Sequence, residues 1–279
     1  MILPHHFAQG FRTQAIRQGA RRVLLQPCGA KQIGHGISLH PRPHAWTSSA
    51  EGSASLHRQL EKLTAALDSL IAAKKLPVIA AVFLNSGGGD SKGSERGLEY
   101  DTVSGQYTDF IETEVLPRAS KEGSITFTKD PEGRAIGGTS SGAICAFTVA
   151  WDRPDAFRKV ISCIGSYTSI GYRPARDGVP MIPGGDLYPT LIRRVAPKPI
   201  RIFLQDGSND IDNQFGSWFL ANQQMLAAFN YANRTADQRK LEGPRYEVNH
   251  VWGEGPHSDN HGGVLLPDML RWIWKDYAK

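Results

Sequence analysis

The stretch Gly138-Thr139-Ser140-Ser141-Gly142 is the strongest indicator of the fold of this chain, because it separates two segments of different predicted secondary structure. The short apolar segment 134–137 before it predicts a strand, and the apolar residues 143–151 after it predict a helix. Glycine has no side chain to collide where a strand turns sharply into a helix. The stretch therefore predicts a tight strand-to-helix turn that holds the hydroxyl of Ser140 clear of the sheet.

A serine in this position is suited to nucleophilic attack. The helix N-terminus behind it favours negative charge, and the backbone N–H of Ser141 can point at an oxyanion that forms on a substrate carbonyl. The G-x-S-x-G pattern resembles the nucleophile elbow of α/β hydrolases. In a chain this rich in glycine and serine the pattern alone arises by chance about once in five, so the interpretation depends on partners further along the chain.

The first partner is an acid, which in α/β hydrolases follows the serine and precedes a histidine. Residues 199–204 are β-branched and aromatic and predict a strand, and the loop after it contains Asp206, Asp210 and Asp212. Open α/β sheets place their sites at the carboxyl ends of strands. We choose Asp210, because Asp206 directly precedes a glycine and is expected to shape the turn. The alternative is an acidic, solvated loop.

The second partner is a base, expected in the glycine-rich loop after the predicted strand 247–252. His257 is our first choice and His261 the second. Loop histidines that make ordinary hydrogen bonds are the alternative. The two histidines are four residues apart, which also suits a metal pair, but an H-E-x-x-H glutamate and a third ligand are missing. We therefore predict no metal.

Taken together, the chain from about Leu76 to Lys279 resembles the esterase D and enterochelin esterase-like group of α/β hydrolases. Four further elements carry the resemblance: R-x-x-E-Y at 96–100, a helix at 107–117, P-D-x-F at 154–157 and G-x-H-S at 255–258. It implies an α/β-hydrolase fold with a mostly parallel central sheet and helices on both faces. It also implies that Ser140, Asp210 and His257 serve as nucleophile, orienting acid and base.

The resemblance implies a serine carboxylesterase that forms an acyl-enzyme and needs no cofactor. Its substrate is expected to be a small-molecule ester, with feruloyl and short-chain acyl esters as candidates. The group includes feruloyl esterases, S-formylglutathione hydrolase and mycolyltransferases, so the motifs are not specific for a substrate. Acyl transfer to an alcohol is the nearest alternative, and a non-catalytic binding protein of the same fold is another.

The order of the remaining segments agrees with this fold class. Apolar segments alternate with helical patterns, which indicates a mostly parallel sheet covered on both faces. The predicted strands are 78–84, 135–138, 160–164, 200–204 and 247–252, and the predicted helices include 55–74, 217–232 and 265–277. Residues 167–188 are rich in Gly, Pro and Arg and show no period, which suits a lid or a wall of the substrate pocket.

Residues 1–50 differ in composition from residues 51–279. They contain six basic residues and no acidic one, whereas the net charge of the whole chain is +5. The rest of the chain is therefore near neutral and is expected to form the catalytic domain, and nucleic-acid binding has no further support. We expect the N-terminal segment to be atypical and largely irregular.

The second oxyanion donor is left open by the sequence. Val23-Leu24-Leu25 can form a strand, with Gly29 or Ala30 after it as the donor. Alternatively, the triple glycine around Gly88 follows the predicted strand 78–84 and resembles the HGGG-type loops of lipases. A flexible turn is the remaining interpretation of the triple glycine.

Composition excludes several other classes of protein. Three cysteines are too few for a disulfide framework, and no apolar run is long enough to cross a bilayer. No secretory signal is visible, which favours the cytoplasm. A homo-oligomer is left open.

Overall fold

The computed structural model describes residues 11–14, 22–28, 63–85 and 96–277. The strands in this part of the chain are β1 (Phe11–Gln14), β2 (Arg22–Cys28), β3 (Ile79–Asn85), β4 (Arg134–Thr139), β5 (Lys159–Cys163), β6 (Arg201–Asn209), β7 (Asp212–Asn213), β8 (Gly216–Ser217) and β9 (Glu247–Pro256). The helices are α1 (63–72), α2 (Arg96–Glu99), α3 (Gln106–Phe110), α4 (Leu116–Gly123), α5 (Ser141–Asp152), α6 (Leu187–Arg194), α7 (Trp218–Gln238) and α8 (Asp259–Ile273).

The central sheet has the strand order β1-β3-β2-β4-β5-β6-β9. Its strands pair in parallel except β1, which is antiparallel to β3. Side chains of successive strand residues point to opposite faces. Leu204 accordingly packs in a cluster with residues from α3 to α7, and its neighbour Phe203 packs in a second cluster with α1 and α8. The predicted α/β fold, with helices on both faces of a mostly parallel sheet, is confirmed.

The N-terminal part of the chain contributes to the middle of this sheet. β2 lies between β3 and β4, with Leu24 aligned with Ala81 on one side and with Ala135 on the other. The strand considered at Val23–Leu25 is thus present as part of β2. The edge strand β1 was not predicted from the sequence. At these two places the chain is regular sheet rather than irregular, and the boundary expected at residue 50 lies outside the described residues.

Most predicted elements are present, with some differences at their ends. β6 and β9 continue past the predicted ends into the loops that were expected to carry the acid and the base. α8 begins at Asp259 rather than near residue 265, and the hydroxyl of Ser258 caps it by accepting from the N–H of Asn260. Gly262 permits this, because a Cβ there would lie 3.0 Å from Sγ of Cys163 in the sheet. The glycine allows close approach of helix to sheet instead of marking a loop.

Residues 167–188, predicted to be irregular, contain a short antiparallel arm. Isolated bridges pair Ile170 with Gly185, Arg173 with Ile182 and Arg176 with Val179. The hydroxyls of Thr168 and Ser169 both donate to the carbonyl of Phe215. These bonds fix the base of the arm beside the connection that leads into α7. A role for the arm as a lid or pocket wall stays a prediction.

Candidate active site

Ser140 lies at the tip of the turn between β4 and α5. Its backbone has φ 56° and ψ −123°, a conformation that costs a non-glycine residue free energy and that clusters at functional sites. Gly138 makes the turn possible, since a Cβ there would lie 2.3 Å from the carbonyl of Gly142. The N–H of Ser140 donates to the carbonyl of Cys163 at the end of β5. The backbone thus presents a half-buried hydroxyl at the carboxyl edge of the sheet.

The structure brings the three predicted residues into one hydrogen-bonded row. Nε2 of His257 is 2.9 Å from Oγ of Ser140, and Nδ1 of His257 is 2.5 Å from Oδ1 of Asp210. An ionised carboxylate only accepts hydrogen bonds, so Nδ1 carries the proton. Nε2 is then the acceptor for the hydroxyl proton of Ser140. This is the arrangement in which a serine hydroxyl can pass its proton to an imidazole.

Asp210 is held in an ionised state by its surroundings. Its side chain is buried, and its Oδ1 also accepts from the N–H of Ile211 at 2.6 Å. Burial opposes ionisation, but hydrogen bonds from His257, from Asp206 and from the Ile211 N–H outweigh burial and lower the pKa of Asp210. A charged, fixed carboxylate can orient the imidazole and stabilise an imidazolium.

Asp206 lies beside Asp210, but its oxygens accept hydrogen bonds from Gly207 and Asn222 and not from the histidine. It is fully buried, its Oδ1 accepts from the N–H of Gly207 at 2.7 Å, and its Oδ2 accepts from Nδ2 of Asn222 at 2.7 Å. Burial, the hydrogen bond with Asp210 and the charge of Asp210 raise the pKa of Asp206 to about 8. The pair therefore shares one negative charge near neutral pH. The Gly207 contact agrees with the predicted role of Asp206 in the turn.

Two other candidate residues were named from the sequence, Asp212 and His261. Asp212 is exposed in β7. His261 lies in α8, and its side chain is outside the described part of the molecule. No cluster of three or more His, Cys, Asp or Glu that could hold a metal ion occurs among the described residues.

One of the two expected oxyanion donors, the backbone N–H of Ser141, belongs to the described residues. Ser141 is the first residue of α5, where backbone N–H groups lack partners within the helix. Gly29, Ala30 and Gly88 lie outside the described residues. The register pairs Cys28 at the end of β2 with Asn85 at the end of β3, so both candidate loops leave the sheet at the edge that carries Ser140. Both stay candidates for the second donor.

Comparison with known proteins assigns the chain to a family. Residues 53–261 match the family model Esterase, which is described as "Putative esterase". The chain belongs to this esterase family. The resemblance to esterases expected from the sequence is thus confirmed. No curated protein sequence gives a significant match.

Solved structures similar to this chain share its fold. The enterobactin esterase of Shigella flexneri, determined with 2,3-dihydroxy-N-benzoyl-glycine, has a TM-score of 0.61 at 16% identity, over 92% of this chain and 53% of that one. A ferulic acid esterase has a TM-score of 0.60 at 18% identity, over 92% and 85%. The fluorophosphonate-binding serine hydrolase F of Staphylococcus aureus has a TM-score of 0.51 at 12% identity, over 92% and 85%. The chain spans about half the length of the enterobactin esterase. At sequence identities this low, the similarity shows only that these proteins share the fold of this chain.

Two residues of the candidate site were not predicted from the sequence. Oγ of Ser166 lies 2.9 Å from Oγ of Ser140, and Nε1 of Trp218 donates to Oγ of Ser166 at 2.7 Å. The ring of Trp218 also packs edge-to-face on His257, with 6.2 Å between centroids. Ser166 follows the end of β5 at the carboxyl edge, and Trp218 is the first residue of α7. Their position near strand ends was the available signal, but serine and tryptophan form no motif there.

The structure also bears on membrane association. Among the described residues, no helix is both long and apolar enough to cross a membrane.

Proposed function

We propose that this esterase hydrolyses carboxylic esters through an acyl-enzyme formed on Ser140. The observation that carries the proposal is the unbroken row from Oγ of Ser140 through the imidazole of His257 to the carboxylate of Asp210. Family membership supports the class of reaction. The row supplies a nucleophile, a base that reaches it and an acid that fixes the tautomer of the base.

Acylation begins when Oγ of Ser140 attacks the ester carbonyl and its proton moves to Nε2 of His257. The charge of Asp210 stabilises the imidazolium, and the N–H of Ser141 stabilises the oxyanion of the tetrahedral intermediate. The C–O bond to the alcohol then breaks, and the alcohol oxygen takes the proton from Nε2. The acyl group is left on Oγ.

Deacylation repeats these steps with water. His257 takes a proton from the water as it attacks the acyl carbonyl, and the Oγ–acyl bond breaks in the collapse of the second intermediate. The proton on Nε2 returns to Oγ. Apart from the ester and water, these steps use side chains and backbone groups of this chain.

The proposed substrates are small esters with feruloyl or short-chain acyl groups. The ferulic acid esterase with this fold supports feruloyl esters as a starting point, and short-chain acyl esters are kept as the second candidate. A series of p-nitrophenyl esters of increasing chain length, assayed beside methyl ferulate, distinguishes short aliphatic from aromatic acyl groups through kcat/KM.

The test of the proposal combines activity with covalent labelling. Ser140→Ala is expected to lower kcat on p-nitrophenyl acetate by about 10⁴ to 10⁶. A fluorophosphonate probe is expected to label Ser140, mapped by mass spectrometry of the digested protein. Ser141→Ala is the matched control, because its proposed role is a backbone N–H that alanine retains. A label on Ser141 together with an active Ser140→Ala variant contradicts the proposal.

A further inference from the structure

Ser140 has a second hydrogen-bond partner besides the imidazole. Oγ of Ser166 lies 2.9 Å from Oγ of Ser140, and the N–H of Ser166 donates to the carbonyl of Ser140 at 3.2 Å. Ser166 is buried, with 7% of its surface exposed. The nucleophile is therefore in contact with a hydroxyl that the Ser-His-Asp row does not include.

The donors in this group of contacts are fixed by chemistry. The indole N–H of Trp218 is a donor only, so Oγ of Ser166 accepts from it. Ser140 gives its own proton to Nε2 of His257, whose Nδ1 already carries a proton toward Asp210. The hydroxyl proton of Ser166 is left to point at Oγ of Ser140. The hydrogen bonds thus run in one direction, from Trp218 through Ser166 and Ser140 to His257.

We propose that Ser166 is a further catalytic residue, whose hydroxyl donates to Oγ of Ser140 and stabilises the negative charge that develops on that atom. The inference rests on the proposed function, since Ser140 must be the nucleophile. Hydrogen bonds to charged acceptors are about twice as strong as neutral ones. The Ser166 contact therefore stabilises a transition state with charge on Oγ more than it stabilises the neutral ground state.

The effect is largest when Oγ is the leaving group. In deacylation the Oγ–acyl bond breaks, its electron pair goes to Oγ, and Oγ takes the proton from Nε2 of His257. Ser166 keeps its own proton throughout and contributes a hydrogen bond to the departing oxygen. A second contact on Oγ also limits rotation of the Ser140 side chain, which favours the geometry of attack.

Trp218 acts through Ser166 as a positioning residue. Besides its indole N–H bond, its backbone N–H donates to the carbonyl of Ile211, next to Asp210, at 2.9 Å. Its ring packs on the His257 ring at an interplanar angle of 82°. Trp218→Phe removes the N–H and retains most of the ring, so it lets the Ser166 hydroxyl turn away without removing the support of the imidazole.

The test measures acylation and deacylation separately in Ser166→Ala. With p-nitrophenyl acetate, the burst of p-nitrophenol reports acylation and the steady-state rate reports deacylation. We expect the deacylation rate constant to fall by about 10- to 100-fold, the scale of one hydrogen bond to a charged group, with a smaller fall in the burst rate constant. An unchanged deacylation rate in Ser166→Ala, alongside an inactive Ser140→Ala, overturns this inference and leaves the proposed function standing. An active Ser140→Ala overturns the proposed function itself.

Further variants separate catalysis from folding. Ser166→Ala leaves the buried indole N–H of Trp218 without its acceptor, which lowers stability. The double variant Ser166→Ala/Trp218→Phe removes both partners, so its melting temperature is expected to recover while deacylation stays as slow as in Ser166→Ala.

Ser162→Ala is the matched control, because it removes a buried hydroxyl that bonds to Tyr167 at 2.8 Å and not to Ser140. It should lose stability without loss of kcat. Recovery of wild-type kcat in the double variant, or two single losses that multiply in it, contradicts the directional chain from Trp218.

Discussion

Nε2 of His257 lies 2.9 Å from Oγ of Ser140, although the two residues are 117 positions apart in the chain. The parallel sheet causes this proximity. β4 delivers Ser140 at its carboxyl end, and His257 directly follows the last residue of β9, whose carboxyl end lies at the same edge. β6, between them in the strand order with β5, delivers Asp210 just beyond its own end. Each residue is thus held by a strand end rather than by a long loop.

The acid and the base give the first prediction. Asp210→Asn is expected to lower kcat by about 10⁴, because an amide in place of the carboxylate favours the wrong tautomer of His257. His257→Ala should lose as much as Ser140→Ala. Asp212→Asn is the matched control, since Asp212 is exposed and should retain kcat. The measurement is kcat on p-nitrophenyl acetate with melting temperature recorded for each variant. An inactive Asp206→Asn beside an active Asp210→Asn contradicts the assignment of the acid.

The second prediction concerns the pH dependence of stability. In the folded protein the pKa of Asp206 is raised to about 8. In an unfolded chain the pKa of an aspartate is about 3.9. Between these values the folded state holds a proton that the unfolded state has released. The stability linked to Asp206 is therefore fully present below about pH 4 and is lost as pH rises toward 8, by at most about 1.4 kcal/mol per pH unit for one proton.

Asp206→Asn removes that titration. Relative to the wild type, its free energy of unfolding is expected to improve between pH 5 and pH 8, as measured by urea unfolding at several pH values. Asp210 has the opposite linkage, because its lowered pKa gives stability that is lost as pH falls. Asp212→Asn controls for the loss of a carboxylate at an exposed position. A difference between Asp206→Asn and wild type that does not change with pH shows that Asp206 is ionised throughout.

A third prediction concerns the turn that carries Ser140. Gly138→Ala places a Cβ 2.3 Å from the carbonyl of Gly142, so the backbone must move. We expect a loss of about 3 kcal/mol of stability, the scale of overpacking in a core. We also expect kcat to fall by about 10²-fold, because Oγ of Ser140 moves away from Nε2 of His257. Gly97→Ala is the control, since nothing lies within 4 Å of its Cβ. Normal activity and stability of Gly138→Ala disprove the described turn.

The fourth prediction concerns the N-terminal strands. Leu24→Pro removes a backbone N–H at a position where β2 pairs with both β3 and β4, so the sheet loses a hydrogen bond that the surrounding strands cannot replace. We expect no cooperative thermal unfolding transition by circular dichroism. Thr13→Pro changes β1, which pairs only with β3 in the described sheet, and should cost less. Equal loss of stability in both variants argues against the central position of β2.

Because β2 lies in the centre of the sheet, we also expect deletion of residues 1–41 to prevent folding rather than to remove one oxyanion donor.

The sequence alone determined the local features of this protein. Sterics require glycines around Ser140 at a strand-to-helix turn, and alternating apolar segments require a sheet with both faces covered. These features depend on neighbours in the chain, so the turn at Ser140, the order of strands and helices and the pair of candidate loops were visible in the residues. The three residues of the hydrogen-bonded row were named from them.

Contacts between distant residues were decided by the tertiary structure. Which aspartate faces His257 depends on how the end of β6 lies against β9, and loop composition carries no information about that. The apolar segment of β2 is too short to predict from the sequence that this strand pairs with a neighbour on each side. Ser166 lies in the loop after β5, and Trp218 begins α7, 52 residues later. Ser166 contacts Ser140 and Trp218 at once only because both segments reach the same edge of the sheet. Hydrogen bonds of this kind depend on distances of a fraction of an ångström, which packing sets and local sequence does not.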